Sequence, residues 1–188
     1  MKKFIFIGDS LTYGYGVYKE DSWVNKISSL NKLNILNKGV NGDTTPSMLN
    51  RFFNDVTSKC PDYIFLMGGT NDLLCGRSVK SIIDNIEEMI KEALSIKSNI
   101  FIGIPPNIIP KMANKLFMPS DLYTYCEKNL PLLRVELLNL CANYNICYID
   151  FYTLCNKNLY KNIFLDGIHL NSLGNDIMFK EACKIFSL

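Results

Sequence analysis

The stretch Lys3–Gly16, KFIFIGDSLTYGYG, decides the fold. Its first half is an apolar run that stops at Gly8, and its second half is small, polar and punctuated by glycine. A continuously apolar run of this length reads as a strand of a parallel sheet, buried on both faces. Further runs of this kind occur at Leu33–Lys38, Asp62–Gly68, Asn99–Ile104 and Ile146–Asp150. Between them lie segments with helical spacing: Asp21–Leu30, Thr45–Ser58 with Pro46 in the first turn, Ser78–Lys97, Asp121–Tyr144 and Asn171–Phe186 with Asn171 as N-cap. In Ser78–Lys97, residues Val79, Ile82, Ile83, Ile86, Ile90, Ala93 and Leu94 share one face. Pro131 is expected to kink or divide the helix in which it lies. The βαβαβαβαβα order calls for right-handed crossovers and helices on both faces of the sheet. Residues 1–188 therefore read as one doubly wound α/β domain.

Composition narrows the chemistry. The 188 residues carry a formal net charge of +2, with 48% hydrophobic and 20% charged residues. That balance excludes a disordered or low-complexity chain. It gives no electrostatic argument for a nucleic-acid or anionic-membrane partner. Seven cysteines, an odd number without CxxC spacing, fit neither a complete disulfide framework nor a zinc ribbon. They read as mostly buried, reduced thiols in a cytoplasmic protein. The apolar run after Lys2 and Lys3 covers only Phe4–Ile7, short of the roughly 7–15 residues of a signal-peptide core. No stretch reaches the roughly 18 apolar residues of a membrane span. His169 is the single histidine, which rules out multi-histidine metal sites.

In doubly wound folds the loops at the carboxyl ends of the strands carry function. Here the first three such loops are GDSLTYGYG, GVNGDTTP and GGTNDLLCG, and the segment before the last helix is LDGIHLN. Ser10 needs a base to become a nucleophile, and His169 can supply it. Asp166, three residues earlier in a turn, can accept from the imidazole and fix its tautomer. An oxyanion would need donors; the backbone N–H groups of Ser10 and Gly42 and the side-chain amide of Asn71 are available. Asp9 and Asp72 read as scaffold that holds loop N–H groups. Cys75 has no base of its own and reads as a buried thiol.

The sequence resembles the SGNH hydrolases, the GDSL esterase/lipase family. The resemblance rests on Gly8-Asp9-Ser10-Leu11, on Gly42 within Asn41-Gly42-Asp43-Thr44, on Gly69-Thr70-Asn71-Asp72 and on Asp166-Gly167-Ile168-His169, in family order across residues 4–174. Thr70 stands where many members have glycine. Gly39 competes with Gly42, and the GDT context favours Gly42. The resemblance implies a flavodoxin-like three-layer α/β/α sandwich around a five-stranded parallel sheet. It also implies ester hydrolysis without metal or cofactor, with the roles just given. The GxSxG elbow of α/β-hydrolases is absent around Ser10.

The substrate is less readable. The proline-rich connection Ile104–Leu122 reads as a long loop. Phe117 and Met118 are expected to line an acyl pocket, unless the loop simply packs on the domain or forms a dimer contact. Tyr13, with Tyr15 and Tyr18, is a candidate for stacking on a sugar or aromatic leaving group. A sugar ester, lysophospholipid, thioester or aryl ester would each fit. The constellation serves an esterase or, with an alcohol acceptor, an acyltransferase. A non-catalytic flavodoxin-like module is disfavoured because GxxxxGK[ST] and GxGxxG spacings are missing.

Overall fold

The apolar run Lys3–Gly8 forms the first strand, and its alternation of phenylalanine and isoleucine sorts the core into two halves. The computed structural model describes residues 1–30 and 32–187. Five parallel strands, β1 (Lys3–Gly8), β2 (Asn34–Gly39), β3 (Tyr63–Met67), β4 (Asn99–Ile104) and β5 (Cys147–Asp150), pair in the order β2-β1-β3-β4-β5. This is the flavodoxin-like order of a doubly wound sheet. Nine helices join them among the described residues: α1 (Ser10–Tyr13), α2 (Trp23–Ser28), α3 (Thr45–Asp55), α4 (Thr70–Leu74), α5 (Val79–Ser95), α6 (Pro110–Leu116), α7 (Asp121–Tyr144), α8 (Phe151–Lys157) and α9 (Ser172–Phe186).

Successive side chains of a strand point to opposite faces. Phe4 and Phe6 of β1 therefore join Phe65 of β3 on one face, where Trp23, Phe151, Met178 and Ala182 bring α2, α8 and α9 onto the sheet. The Trp23 ring lies 5.6 Å from Phe6, 5.2 Å from Phe65 and 5.4 Å from Phe151, all edge-on. Ile5, Ile7, Ile64 and Leu66 point the other way, onto Phe52 of α3, Ile86 and Ile90 of α5, and Leu133 and Leu137 of α7. Both faces are covered by helices, as the three-layer reading requires.

Several expectations need correction. β2 and β5 are the sheet edges and are only partly buried, so burial on both faces holds for β1, β3 and β4 alone. Pro131 does not divide α7, which runs unbroken for 24 residues. The carbonyl that proline leaves without a partner belongs to Glu127, and both residues lie on the exposed side, where water can serve it. The connection after β4 is not a structureless loop, because it folds α6, with Pro110 in the first turn. Three short helices directly follow strands (α1, α4 and α8) and carry too little periodicity to be read in advance.

At the carboxyl edge, Gly8 of β1 pairs in register with Gly39 of β2 and Met67 of β3. The three strands end level, so the segments holding Ser10, Gly42 and Asn71 leave the sheet side by side.

Candidate active site

Ser10 opens α1 directly after β1. Asp9 is the N-cap, and its Oδ1 accepts from the Leu11 N–H at 2.9 Å. The Ser10 N–H is one of the donors a helix start leaves unpaired. Among the described residues, neither it nor the Gly42 N–H has an acceptor within the protein.

His169 reaches this helix from the far end of the chain. Its Nε2 lies 3.0 Å from Ser10 Oγ, and its Nδ1 lies 2.7 Å from Asp166 Oδ2. Asp166 Oδ1 accepts from the backbone N–H groups of Ile168 (2.9 Å) and His169 (2.7 Å). Burial alone would push the Asp166 carboxyl up, but the His169 side chain and these two N–H groups outweigh it and hold the group below the usual carboxylate range. An ionised carboxylate only accepts, so Nδ1 carries the proton and Nε2 is free to accept from the Ser10 hydroxyl. The turn is closed by Leu165 N–H on His169 O (2.8 Å) and a Phe164–Leu170 antiparallel bridge.

Gly167 lets this turn approach α6. Its φ is +93°, and a Cβ there would sit 2.6 Å from Ile109 O and 2.8 Å from Ala113 N. In return, the Ile109 N–H donates to Gly167 O at 2.7 Å.

Gly42 lies in the exposed β2–α3 connection at φ +75°, with nothing within 4 Å of where its Cβ would be. Asn71 is the second residue of α4, and one of its amide hydrogens goes to the Asp43 carbonyl at 2.9 Å. Its second amide hydrogen is left for another acceptor. Asp72 is fully buried and accepts from Thr45 N–H (2.9 Å) and the Thr45 hydroxyl (2.8 Å), a scaffolding contact.

The remaining candidates are placed differently from expectation. Tyr13 borders a groove of about 380 Å³ with Val17, Lys19, Asn25 and Asn37, which shares only Gly14 with the crevice that touches Ser10 and His169. That crevice is bordered instead by Tyr15, whose ring centre lies 4.4 Å from the imidazole. Phe117 and Met118 follow α6 and are 41% and 85% exposed. The part of that connection which meets the Asp166–His169 turn is Ile109–Ala113. Cys75 is exposed, not buried, because it caps the end of the short α4, and Cys60 and Cys147 are exposed as well. The buried thiols of Cys126, Cys141 and Cys155 are pushed up to about 12 by desolvation.

Sequence reading missed Tyr15's place on His169 and the grip of Arg51 on Asp43. No local signal marks the first, while the second was foreshadowed only by an acidic residue beside Gly42. Among the described residues no three His, Cys, Asp or Glu side chains gather to hold a metal. No helix among them is long and apolar enough to cross a membrane.

A sequence model of the GDSL-like lipase/acylhydrolase family matches residues 6–177. An arylesterase from Vibrio mimicus is 30% identical over 114 residues, 56% of this chain and 57% of that protein. An uncharacterised lipoprotein of Bacillus subtilis is 43% identical over 75 residues, 36% of this chain and 31% of the relative. The matched region thus spans little more than half the length of the first relative and less than a third of the second. Among solved structures, a member of the lipolytic G-D-S-L family from Veillonella parvula superimposes with a TM-score of 0.83 at 27% identity, covering 98% of both chains. An acetylxylan esterase from Geobacillus stearothermophilus shares the fold, with a TM-score of 0.82 at 17% identity over 100% of this chain and 94% of that one.

Proposed function

Because this chain belongs to the GDSL-like lipase/acylhydrolase family, we propose that it hydrolyses carboxylic esters through an acyl-enzyme on Ser10. Ser10 Oγ attacks the ester carbonyl while His169 Nε2 takes its proton. Asp166 holds the imidazole in the required tautomer and faces the charge that forms on it. The N–H groups of Ser10 and Gly42 and the free hydrogen of the Asn71 amide receive the oxyanion. His169 then gives its proton to the departing alkoxide. Water, deprotonated by the same imidazole, releases the acid. The observation that carries this reading is the unbroken chain Asp166 Oδ2–His169–Ser10 Oγ, at 2.7 and 3.0 Å.

The crevice bordered by Ser10, Leu11, Tyr15, His169 and Met178 encloses about 10 Å³, room for about one water molecule. Tyr15, 44% exposed beside the imidazole, offers a face to the leaving group.

A fluorophosphonate probe is expected to label Ser10 in the intact protein and to lose that label in His169→Ala. Hydrolysis of p-nitrophenyl acetate should be lost in Ser10→Ala and in His169→Ala. Ester turnover in Ser10→Ala equal to that of the wild type would overturn the mechanism.

A further inference from the structure

The segment Val40–Thr44 presents Gly42 and is tied by its backbone at the Val40 N–H on Gly8 O (3.0 Å), at the Asp43 N–H on Val40 O (3.2 Å) and at Asp43 O, which accepts from Asn71 (2.9 Å). Val40, Asn41 and Gly42 are exposed, and Asp43 is its one buried residue, 5% exposed. What holds Asp43 is Arg51, from the middle of α3. Arg51 Nε and Nη2 both donate to Asp43 Oδ2, at 2.8 and 2.6 Å. Nη2 also reaches the carbonyls of Lys38 (2.9 Å) and Gly8 (3.3 Å), at the ends of β2 and β1. Nη1 donates to Asp55 Oδ2 at 2.8 Å, and Asp55 is in turn held by Lys38 Nζ at 2.9 Å.

One guanidinium therefore binds together the strand that leads into Ser10, the strand that leads into Gly42, and Asp43 itself. The backbone carbonyl of Asp43 receives the Asn71 amide at 2.9 Å, so the same anchor sets the direction of the third oxyanion donor. An exposed ion pair stabilises by little and orients nothing. A planar fork with its donors spread over two strand ends and two carboxylates fixes a geometry that a lysine cannot reproduce.

We propose that Arg51 is a positioning residue for the oxyanion hole: through Asp43 it sets where the Gly42 N–H and the Asn71 amide point. The proposal rests on the oxyanion roles given to Gly42 and Asn71 above. It places the effect on the chemical step and leaves substrate capture almost unchanged.

The test is a mutant cycle on the full chain with p-nitrophenyl acetate, using Arg51→Met, Asn71→Ala and the double variant, each checked for folding at the assay temperature by circular dichroism. Arg51→Met should lower kcat about 10- to 100-fold, less than the roughly 100- to 1,000-fold that follows outright removal of an oxyanion donor, because the donors are misdirected but still present. KM should stay within about threefold, and the pH profile should be unmoved because Asp166 and His169 are untouched. The double variant should fall short of the product of the two single losses by at least about fivefold, since both act on one unit. If Arg51→Met does not fold, Arg51→Lys, which keeps the charge but not the fork, takes its place in the same cycle. A folded Arg51 variant with kcat within threefold of wild type, or losses that multiply in full, would overturn the proposal while leaving the oxyanion roles standing. Full activity in Asn71→Ala would remove those roles and the Arg51 proposal together.

Discussion

Asp9 is 1% exposed, and its Oδ2 has no hydrogen-bond partner in the protein. Burial raises its pKa from 3.8 to about 7, a rise only partly offset by the Leu11 N–H and by the charge of His169. Between those two values the unfolded chain has lost the proton while the folded one keeps it. The folded state therefore loses stability as pH rises from about 4 to about 7, and the loss levels off above that. Asp166 acts in the opposite sense, since its lowered pKa contributes stability that disappears as the solution is acidified. Asp9→Asn keeps an acceptor for Leu11 and removes the titration. In urea unfolding, the variant should gain on the wild type by on the order of 3 kcal/mol between pH 5 and pH 8. A difference that does not change with pH would show that Asp9 is ionised throughout. The scaffold role of Asp9 was readable from the sequence, because an aspartate before a turn or helix caps it. Its missing second partner was not, because burial at Oδ2 is set by residues far away in the chain. For the same reason Ser10, Asp166 and His169 could be singled out as candidates that the fold brings together, while Tyr15 could not be told from its neighbours Tyr13 and Tyr18.

At the scale of elements, α6 and the Asp166–His169 turn support each other. A Cβ at Gly167 would collide with the backbone of Ile109 and Ala113 and would occupy a left-handed conformation. Gly167→Ala should therefore displace the turn and lower kcat at least about tenfold, with a fall in melting temperature. Gly42→Ala meets no such wall, and its cost is the backbone conformation alone, about 1–2 kcal/mol. Equal activity losses in the two variants would argue against a buttressing role for α6. This element was the least legible part of the sequence. Prolines at 105, 106, 110 and 119 suggested an irregular path, yet Pro110 sits where a helix tolerates it. Pro131 misled in the other direction, because its position on the exposed side of α7 removes most of its cost. By contrast, α5, read from its periodicity, and α9, read with Asn171 as its cap, start within one residue of where the sequence places them.

At the scale of the whole molecule, the sheet divides an aromatic core from an aliphatic one. Trp23 is the keystone of the aromatic side, fully buried, with its Nε1–H on the Leu11 carbonyl of α1 at 2.9 Å. Trp23→Ala should cost about 3–5 kcal/mol in chemical denaturation. Phe53→Ala, at a position 63% exposed, should change stability by no more than about 0.5 kcal/mol. A small effect at Trp23 would mean that the aromatic half is not a cooperative part of the fold. The fold class was legible because five short apolar runs alternate with helical segments. The strand order, and hence which runs become exposed edges, was not, because it depends on pairings made between distant parts of the chain.

The bond between Ser10 and His169 joins residues 159 positions apart. A ribosome adding roughly 5–20 residues per second would make Ser10 about 10–30 s before it reaches His169. During that interval the nascent chain can form β1, β2 and β3 and bring Gly42 and Asn71 beside Ser10, yet the serine has no base to deprotonate it. Under the mechanism proposed above, reactivity is thus the last property the polypeptide acquires, and an unfinished chain on the ribosome is chemically silent.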